Sequence, residues 1–224
     1  MSSNGRVELS DAEVERFTRQ GFLCVSEVVS PEEIEALKPL YDEIVQDRMG
    51  CTPAAMGCMI RLHERPLLVV YPPEGYIRRL QETLMFRNAI AAVARLYGVP
   101  ASGVVGGWRL FFKPARYAAT EWHQDAAYRP PPHETISVWI PLDPATRESS
   151  CLSYIPGSHE GRVVRRHRLE GDHMVTEDVD AAEAVECPIP PTSAIIHHSC
   201  TVHCSGANVT EAPRRAFGIV CRAA

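Results

Sequence analysis

From Val104 onward, short apolar runs alternate with turn residues: VVGGWRLFFKP, ISVWIPL, CLSYIP, AVECPI, SAIIHH and RAFGIVCR. The runs are rich in β-branched and aromatic residues and are separated by Gly, Pro, Asp and Ser, so this half reads as many strands with little helix. A sandwich or jelly roll is the natural way to bury so many short strands.

The preceding residues read differently. Ser10 and Glu13 form a capping box that opens a short helix, Gly21 closes it, and FLCVSEVV follows as a strand. Ser30, Pro31 and Glu33 repeat the start signal, and Ile34, Leu37, Tyr41, Ile44 and Val45 recur at helical spacing; Pro39 inside that pattern predicts a kink or an early end. Residues 50–75, with four prolines, read as loops around LLVVY, and a second amphipathic helix spans 84–97 before Gly98 and Pro100. Helices first and strands after predict a mainly β fold with flanking helices (α+β). The 224 residues leave room for one sizeable core. The expectation is a single domain over 1–224, with a helical part at about 8–100 and a jelly-roll part at about 104–224.

Charge narrows the partners. A net charge of −5 gives no global attraction for phosphate backbones or anionic membrane, so nucleic acid is not an expected partner. The basic stretch Arg162 to Arg168 reads as a solvated face, with a landing strip for an anionic substrate as the sharper alternative. The N-terminal residues lack a basic segment followed by an apolar one, and no run approaches the roughly 20 apolar residues of a membrane span. A cytoplasmic protein is expected, with no membrane partner and with a homo-oligomer left open. Eight cysteines without a CxxC pair argue for free thiols rather than structural zinc or a disulfide framework.

The chemistry concentrates in two places. In EWHQDAAY, His123 and Asp125 flank one residue, and on an extended segment both side chains point the same way while Gln124 faces elsewhere. Alone the pair is weak, since roughly one H-x-[DE] is expected by chance in a chain with this many histidines and acids. The second place is HHSCTVHCSGANVTEAPRR, which presents His203, Ser205 and Arg214. Two neutral imidazoles and one carboxylate make the facial set of non-haem Fe(II) oxygenases, which leaves positions open for a cosubstrate and dioxygen. An oxo-acid on that iron extends its far carboxylate inward, where the charge is tolerated only if paired. Arginine suits such a clamp, and a hydroxyl such as that of Ser205 satisfies a further lone pair.

On these residues the chain resembles the phytanoyl-CoA dioxygenase family of Fe(II)- and 2-oxoglutarate-dependent oxygenases. The resemblance runs from LSDAEVERFTRQGFLCVSEVVSPEEIEAL through KPARYAATEWHQD and ISVWIPLDPATRESSCLSYIPGSHEG to VHCSGANVTEAPRRAF, and WHQD, PGSH and HxSxxNxTxxxRR at these spacings are specific together. It implies a double-stranded β-helix, a jelly-roll or cupin-like barrel with the metal at its mouth. It further implies His123, Asp125 and His203 as iron ligands, Arg214 as the 2-oxoglutarate clamp, Ser205 as a hydroxyl contact, Trp139 as an aromatic beside the cosubstrate, and Arg109 facing the pocket. The implied reaction consumes O2 and 2-oxoglutarate, releases succinate and CO2, and hydroxylates a C–H bond of a small-molecule substrate. Because Asp125 is present, halogenation, which needs a small residue there, is disfavoured. The chain ends soon after Arg214 where many relatives continue, so the expected pocket is open or completed by a partner subunit.

Rival readings are a metal-dependent cupin-like hydrolase or isomerase without 2-oxoglutarate, and a catalytically inactive barrel that binds a small molecule. Neither needs a buried carboxylate clamp beside an intact ligand set. Of the other histidines, one of His197 and His198 should face inward as a pocket wall, His159 belongs to a structural PGSH turn, and His63, His133, His167 and His173 read as surface residues. Trp122 and Tyr128 pack beside the ligand pair or line the pocket. Arg215 should point away from Arg214 and be solvated or salt-bridged.

Overall fold

A computed structural model describes residues 7–52, 68–128, 134–162, 164–170 and 173–224. His63, His133 and most of the loop reading at 50–75 lie outside them. Among the described residues, four α-helices, α1 (Asp11–Gln20), α2 (Pro31–Met49), α3 (Glu74–Gln81) and α4 (Leu84–Tyr97), accompany twelve strands. A six-stranded antiparallel sheet has the order β1 (Phe22–Val25), β10 (Ala194–His198), β5 (Ile136–Pro141), β12 (Arg214–Ala223), β3 (Val104–Lys113) and β2 (Leu68–Val70). A four-stranded antiparallel sheet has the order β4 (Thr120–His123), β11 (His203–Ser205), β6 (Leu152–Tyr154) and β9 (Val185–Cys187), and β7 (His167–Glu170) pairs with β8 (His173–Thr176) as a hairpin. The sheets form two separate layers, not one closed ring, among the described residues.

Alternation along the large sheet divides the core. Leu23, Leu110, Phe112, Val138, Ile140, Ile196, Phe217 and Ile219 face outward onto the helices, where Phe17, Leu37, Tyr41, Ile44, Met85 and Val93 complete one apolar cluster. Phe22, Trp139, Ile195 and Ala216 face inward and meet Leu152, Tyr154 and Cys187 of the small sheet, with the Phe22 and Tyr154 rings stacked at 4.6 Å. β5 is therefore buried on both faces along its whole length.

Local signals behave as the sequence implies at most helix ends. Ser10 accepts from the Glu13 backbone N–H at 3.3 Å while the Glu13 carboxylate accepts from the Ser10 N–H at 2.8 Å, and Gly21 ends α1 with φ of 80°. Thr83 caps α4, and Gly98 stops it in the left-handed region. Two expectations fail. α2 does not end at Pro39 but continues to Met49, because Leu37, Leu40, Tyr41, Ile44 and Val45 are all buried. Burial of about 1.5–3 kcal/mol for each such side chain outweighs the roughly 3 kcal/mol that an internal proline costs. The strand expected over FLCVSEVV stops at Val25, since Glu27 turns the chain with φ of 58°. α3 carries no side-chain N-cap and buries only Leu80, which explains its weak sequence signal. β4, β7, β8 and β11, each three or four residues long, also escaped the apolar pattern. No helix among the described residues is long and apolar enough to cross a membrane.

Candidate metal centre

β11 lies between β4 and β6, and its register sets His203 opposite His123 on one side and Tyr154 on the other. Asp125 follows β4 at the start of a 3-10 turn spanning Asp125–Tyr128. The pair His123 and Asp125 therefore does not sit on one continuous extended segment: the strand ends at His123, and the turn brings the carboxylate back towards it. Gln124 faces away as expected, and its carboxamide is buried, accepting from the Arg165 N–H at 2.8 Å. One ligand atom from each of His123, Asp125 and His203 lies within 4.8 Å of the others. The two imidazole rings are 4.2 Å apart, and His203 Nε2 is 4.0 Å from Asp125 Oδ1.

The protonation pattern suits a cation. His123 Nδ1 is 2.8 Å from the Glu121 carbonyl and His203 Nδ1 is 2.9 Å from the Thr201 carbonyl. Since a carbonyl only accepts, each Nδ1 carries a proton, which leaves Nε2 as the nitrogen that can face a metal. Burial, reinforced by His123 and His197, holds His203 well below the usual imidazole range, so it is neutral. Burial opposes ionisation of Asp125, but the hydrogen bond to His197 and the neighbouring imidazoles outweigh it and keep the carboxyl well below its usual range. The set is two imidazoles, each with its Nδ1–H committed to a backbone carbonyl so that Nε2 is the nitrogen left for a cation, and one ionised carboxylate.

Further groups hold Asp125 in place. Ser137 Oγ donates to Asp125 Oδ2 at 3.0 Å, and His197 Nε2 lies 3.4 Å from the same oxygen while its Nδ1 is 3.0 Å from the Tyr154 hydroxyl. His197 is the inward-facing member of the His197 and His198 pair and forms a wall of the cavity. Ser137 was missed by the sequence reading; the signal was a lone hydroxyl inside the apolar run ISVWIPL.

His123, Asp125, His203, Ser205, Trp139 and Arg214 line one cavity between the sheets, and Arg109 lines it as well. Arg214 is 2% exposed, its Nε and Nη1 have no hydrogen-bond partner among the described residues, and its guanidinium lies over the Trp139 ring at 4.9 Å. Burial pushes its pKa down to about 10. Arg109 is half-buried, with its guanidinium 5.9 Å from the Tyr71 ring. Arg215 points to the opposite face, where Asp143 receives it through two nitrogens, at 3.0 and 2.9 Å, and Asp42 at 3.2 Å. The Tyr128 ring meets that of His123 edge-on at 6.3 Å, and its hydroxyl accepts from the Met174 N–H at 2.9 Å, tying the β7–β8 hairpin to the turn after β4. Within the basic stretch, Arg162 pairs with Glu134 and Arg166 with Glu177, consistent with a solvated face. His159 contacts the Thr18 carbonyl at 3.1 Å and abuts Gly21, so the PGSH turn locks the end of α1. His167 lies in the hairpin, 2.9 Å from the Thr176 hydroxyl.

Residues 74–216 match the family model for phytanoyl-CoA dioxygenase (PhyH). The chain belongs to the phytanoyl-CoA dioxygenase family. It is 32% identical to the phytanoyl-CoA dioxygenase domain-containing protein 1 homolog of Caenorhabditis elegans, over 92% of this chain and 88% of that protein. EvdO2 from Micromonospora carbonacea var. aurantiaca, solved with 2-oxoglutarate, superposes with a TM-score of 0.82 at 28% identity, covering 98% of this chain and 93% of that one. The carbocyclase SnoK, from nogalamycin biosynthesis, shares the fold at a TM-score of 0.71 and 23% identity, over 97% and 87% of the two chains. Family and structural neighbours are iron- and 2-oxoglutarate-dependent oxygenases built on a double-stranded β-helix.

Proposed function

We propose that this phytanoyl-CoA dioxygenase family member is a single-domain Fe(II)- and 2-oxoglutarate-dependent dioxygenase that hydroxylates a C–H bond of a small-molecule metabolite. The observation that carries the reading is Arg214: a buried guanidinium with unpartnered nitrogens in the cavity that also holds a His, Asp, His ligand set. A buried cation costs several kcal/mol unless an anion meets it, and no carboxylate of the described residues hydrogen-bonds to this one. A carboxylate on the incoming oxo-acid supplies what is missing. A hydrolase or isomerase working without an oxo-acid leaves Arg214 unexplained, and an inactive barrel leaves the ligand set unexplained.

In this reading His123, Asp125 and His203 hold Fe(II), and Ser137 and His197 fix the orientation of the Asp125 carboxylate. Arg214 and Ser205 receive the distal carboxylate of 2-oxoglutarate, Trp139 covers the guanidinium, and Arg109 stands at the cavity wall where the substrate enters. Bound iron with O2 and 2-oxoglutarate supplies the oxidising power, the oxo-acid leaving as succinate and CO2. The enclosing sheets exclude water and keep the reacting groups oriented. Anaerobic titration of the protein with Fe(II) and 2-oxoglutarate tests the reading. A visible charge-transfer band is expected; folded protein that develops no band refutes it, and an unchanged band and affinity in Arg214→Ala removes the clamp assignment.

A further inference from the structure

Lys113 ends β3 as the last residue of the run WRLFFK, and its side chain is fully buried between the sheets. Its ammonium donates to Ser205 Oγ at 2.9 Å and to the Gly206 carbonyl at 2.6 Å, with Thr120 Oγ1 at 3.4 Å. All three acceptors are neutral. In the β12–β3 ladder Lys113 lies directly opposite Arg214, so two buried cations share one face of the sheet. Like charges at directly opposite positions repel, and burial removes the water that would screen them. The acid that Arg214 senses, Asp143, is already engaged by Arg215 on the other face. Among the described residues this end of the cavity therefore carries a surplus of positive charge with no acid bonded to either cation.

The Ser205 hydroxyl tells where the balancing charge goes. A hydroxyl has one proton to donate, and Lys113 already occupies a lone pair of Ser205 Oγ. The hydroxyl proton is then left to point into the cavity that Ser205 lines beside Arg214. We propose that Lys113 is a positioning residue for the oxo-acid: it aims the Ser205 hydroxyl proton at the distal carboxylate and places a second positive charge behind it. The inference rests on the 2-oxoglutarate reading of the cavity and adds to it a residue that the cavity wall itself conceals.

A consequence concerns protons. Burial, then repulsion from Arg214, pushes the Lys113 pKa down to about 7. The charged or titratable groups that bear on it are Arg214 from β12, which stays cationic, and Cys204 from β11, whose own pKa burial pushes up to about 12, so it stays neutral. A carboxylate arriving beside Lys113 restores its affinity for a proton, and the ligand binds with proton uptake above about pH 7.

The test compares two probes in anaerobic, Fe(II)-loaded protein: 2-oxoglutarate, and 2-oxopentanoate, which keeps the iron-chelating end and replaces the distal carboxylate by a methyl group. In Lys113→Met the affinity for 2-oxoglutarate should fall about 10- to 100-fold, the range of one charge-assisted contact, with that for 2-oxopentanoate unchanged within about twofold. Calorimetry of the wild type in buffers of different ionisation enthalpy should show uptake of a proton with 2-oxoglutarate between about pH 7 and 9, absent with 2-oxopentanoate. Equal 2-oxoglutarate affinity in the variant, or an equal loss for both probes, overturns the role of Lys113 while leaving the cosubstrate assignment intact. Failure of the wild type to bind either probe overturns both. Should Lys113→Met not fold, the wild-type proton measurement decides, and absence of uptake refutes the proposal.

Discussion

Replacing Arg214 by methionine should make the ligand-free protein more stable while abolishing its response to 2-oxoglutarate. Arginine is charged at pH 7 in the folded and the unfolded chain alike, so a depressed folded-state pKa corresponds to a cost to folding. The fall from 12.5 to about 10 corresponds, at about 1.36 kcal/mol per pH unit, to about 3 kcal/mol against folding. The sign follows from a base whose folded pKa is lowered: the penalty is complete below about pH 10 and fades as the pH rises towards 12.5. Stacking on Trp139 returns about 1–2 kcal/mol of this, leaving a net gain of about 1–2 kcal/mol on substitution. Methionine is unbranched and fills the vacated channel without a charge. For a chain of this size the melting temperature should rise by about 2–8 °C. Fe(II)-loaded wild type at a 2-oxoglutarate concentration 100 times its Kd should gain about 2.7 kcal/mol, and the variant almost none. Differential scanning fluorimetry with and without the oxo-acid reads both effects. A ligand-free variant that melts below the wild type, or one that keeps the ligand-induced rise, refutes the argument that an unbalanced buried cation awaits a carboxylate.

Ser137→Ala removes the hydroxyl that holds Asp125 Oδ2 and should weaken Fe(II) or Mn(II) binding about tenfold by equilibrium titration; undiminished affinity would show that Asp125 is held without it. Gly21→Ala places a Cβ against the His159 ring at a backbone φ of 80°, and should cost roughly 2 kcal/mol or more in urea unfolding; an unshifted midpoint removes the account of the PGSH turn as a lock. For Lys113, whose folded pKa of about 7 lies below its ordinary 10.5, the unfolded chain holds the extra proton between those values. Wild-type stability should therefore rise with pH across that window by about 1.4 kcal/mol per pH unit relative to Lys113→Met, and parallel pH profiles for the two proteins would contradict the burial of a strained ammonium.

Much of the fold was legible because its signals are local. The Ser10 and Glu13 box, the Ser30 start and the Gly98 stop each act within one helical turn, and the chain obeys them. The six apolar runs after Val104 all became strands, since period-two alternation reports which side chains face a core. Pro39 misled because a local rule lost to tertiary burial of the side chains around it. The short strand β11 was hidden for the opposite reason: HCS has too few apolar residues to announce itself, and only its pairing on both sides makes it a strand.

The candidate site divides in the same way. His123, Asp125, His203, Ser205 and Arg214 stood out by residue type and spacing, and Arg215 was expected to point away from Arg214. Of the supporting residues, one of His197 and His198 was expected as a pocket wall, whereas Ser137 and Lys113 did not stand out. Ser137 and His197 meet Asp125 across 12 and 72 positions of sequence, and Lys113 meets Ser205 across 92. The sequence by itself determined the two short segments that carry the candidate ligands and where α1, α2 and α4 lie, because each of these signals sits in residues close together along the backbone. Which side chains stand behind the ligands, and that two cations share one buried end of the cavity, was decided by sheet register. Register is a property of strands brought together from distant parts of the chain, and no spacing within one segment contains it.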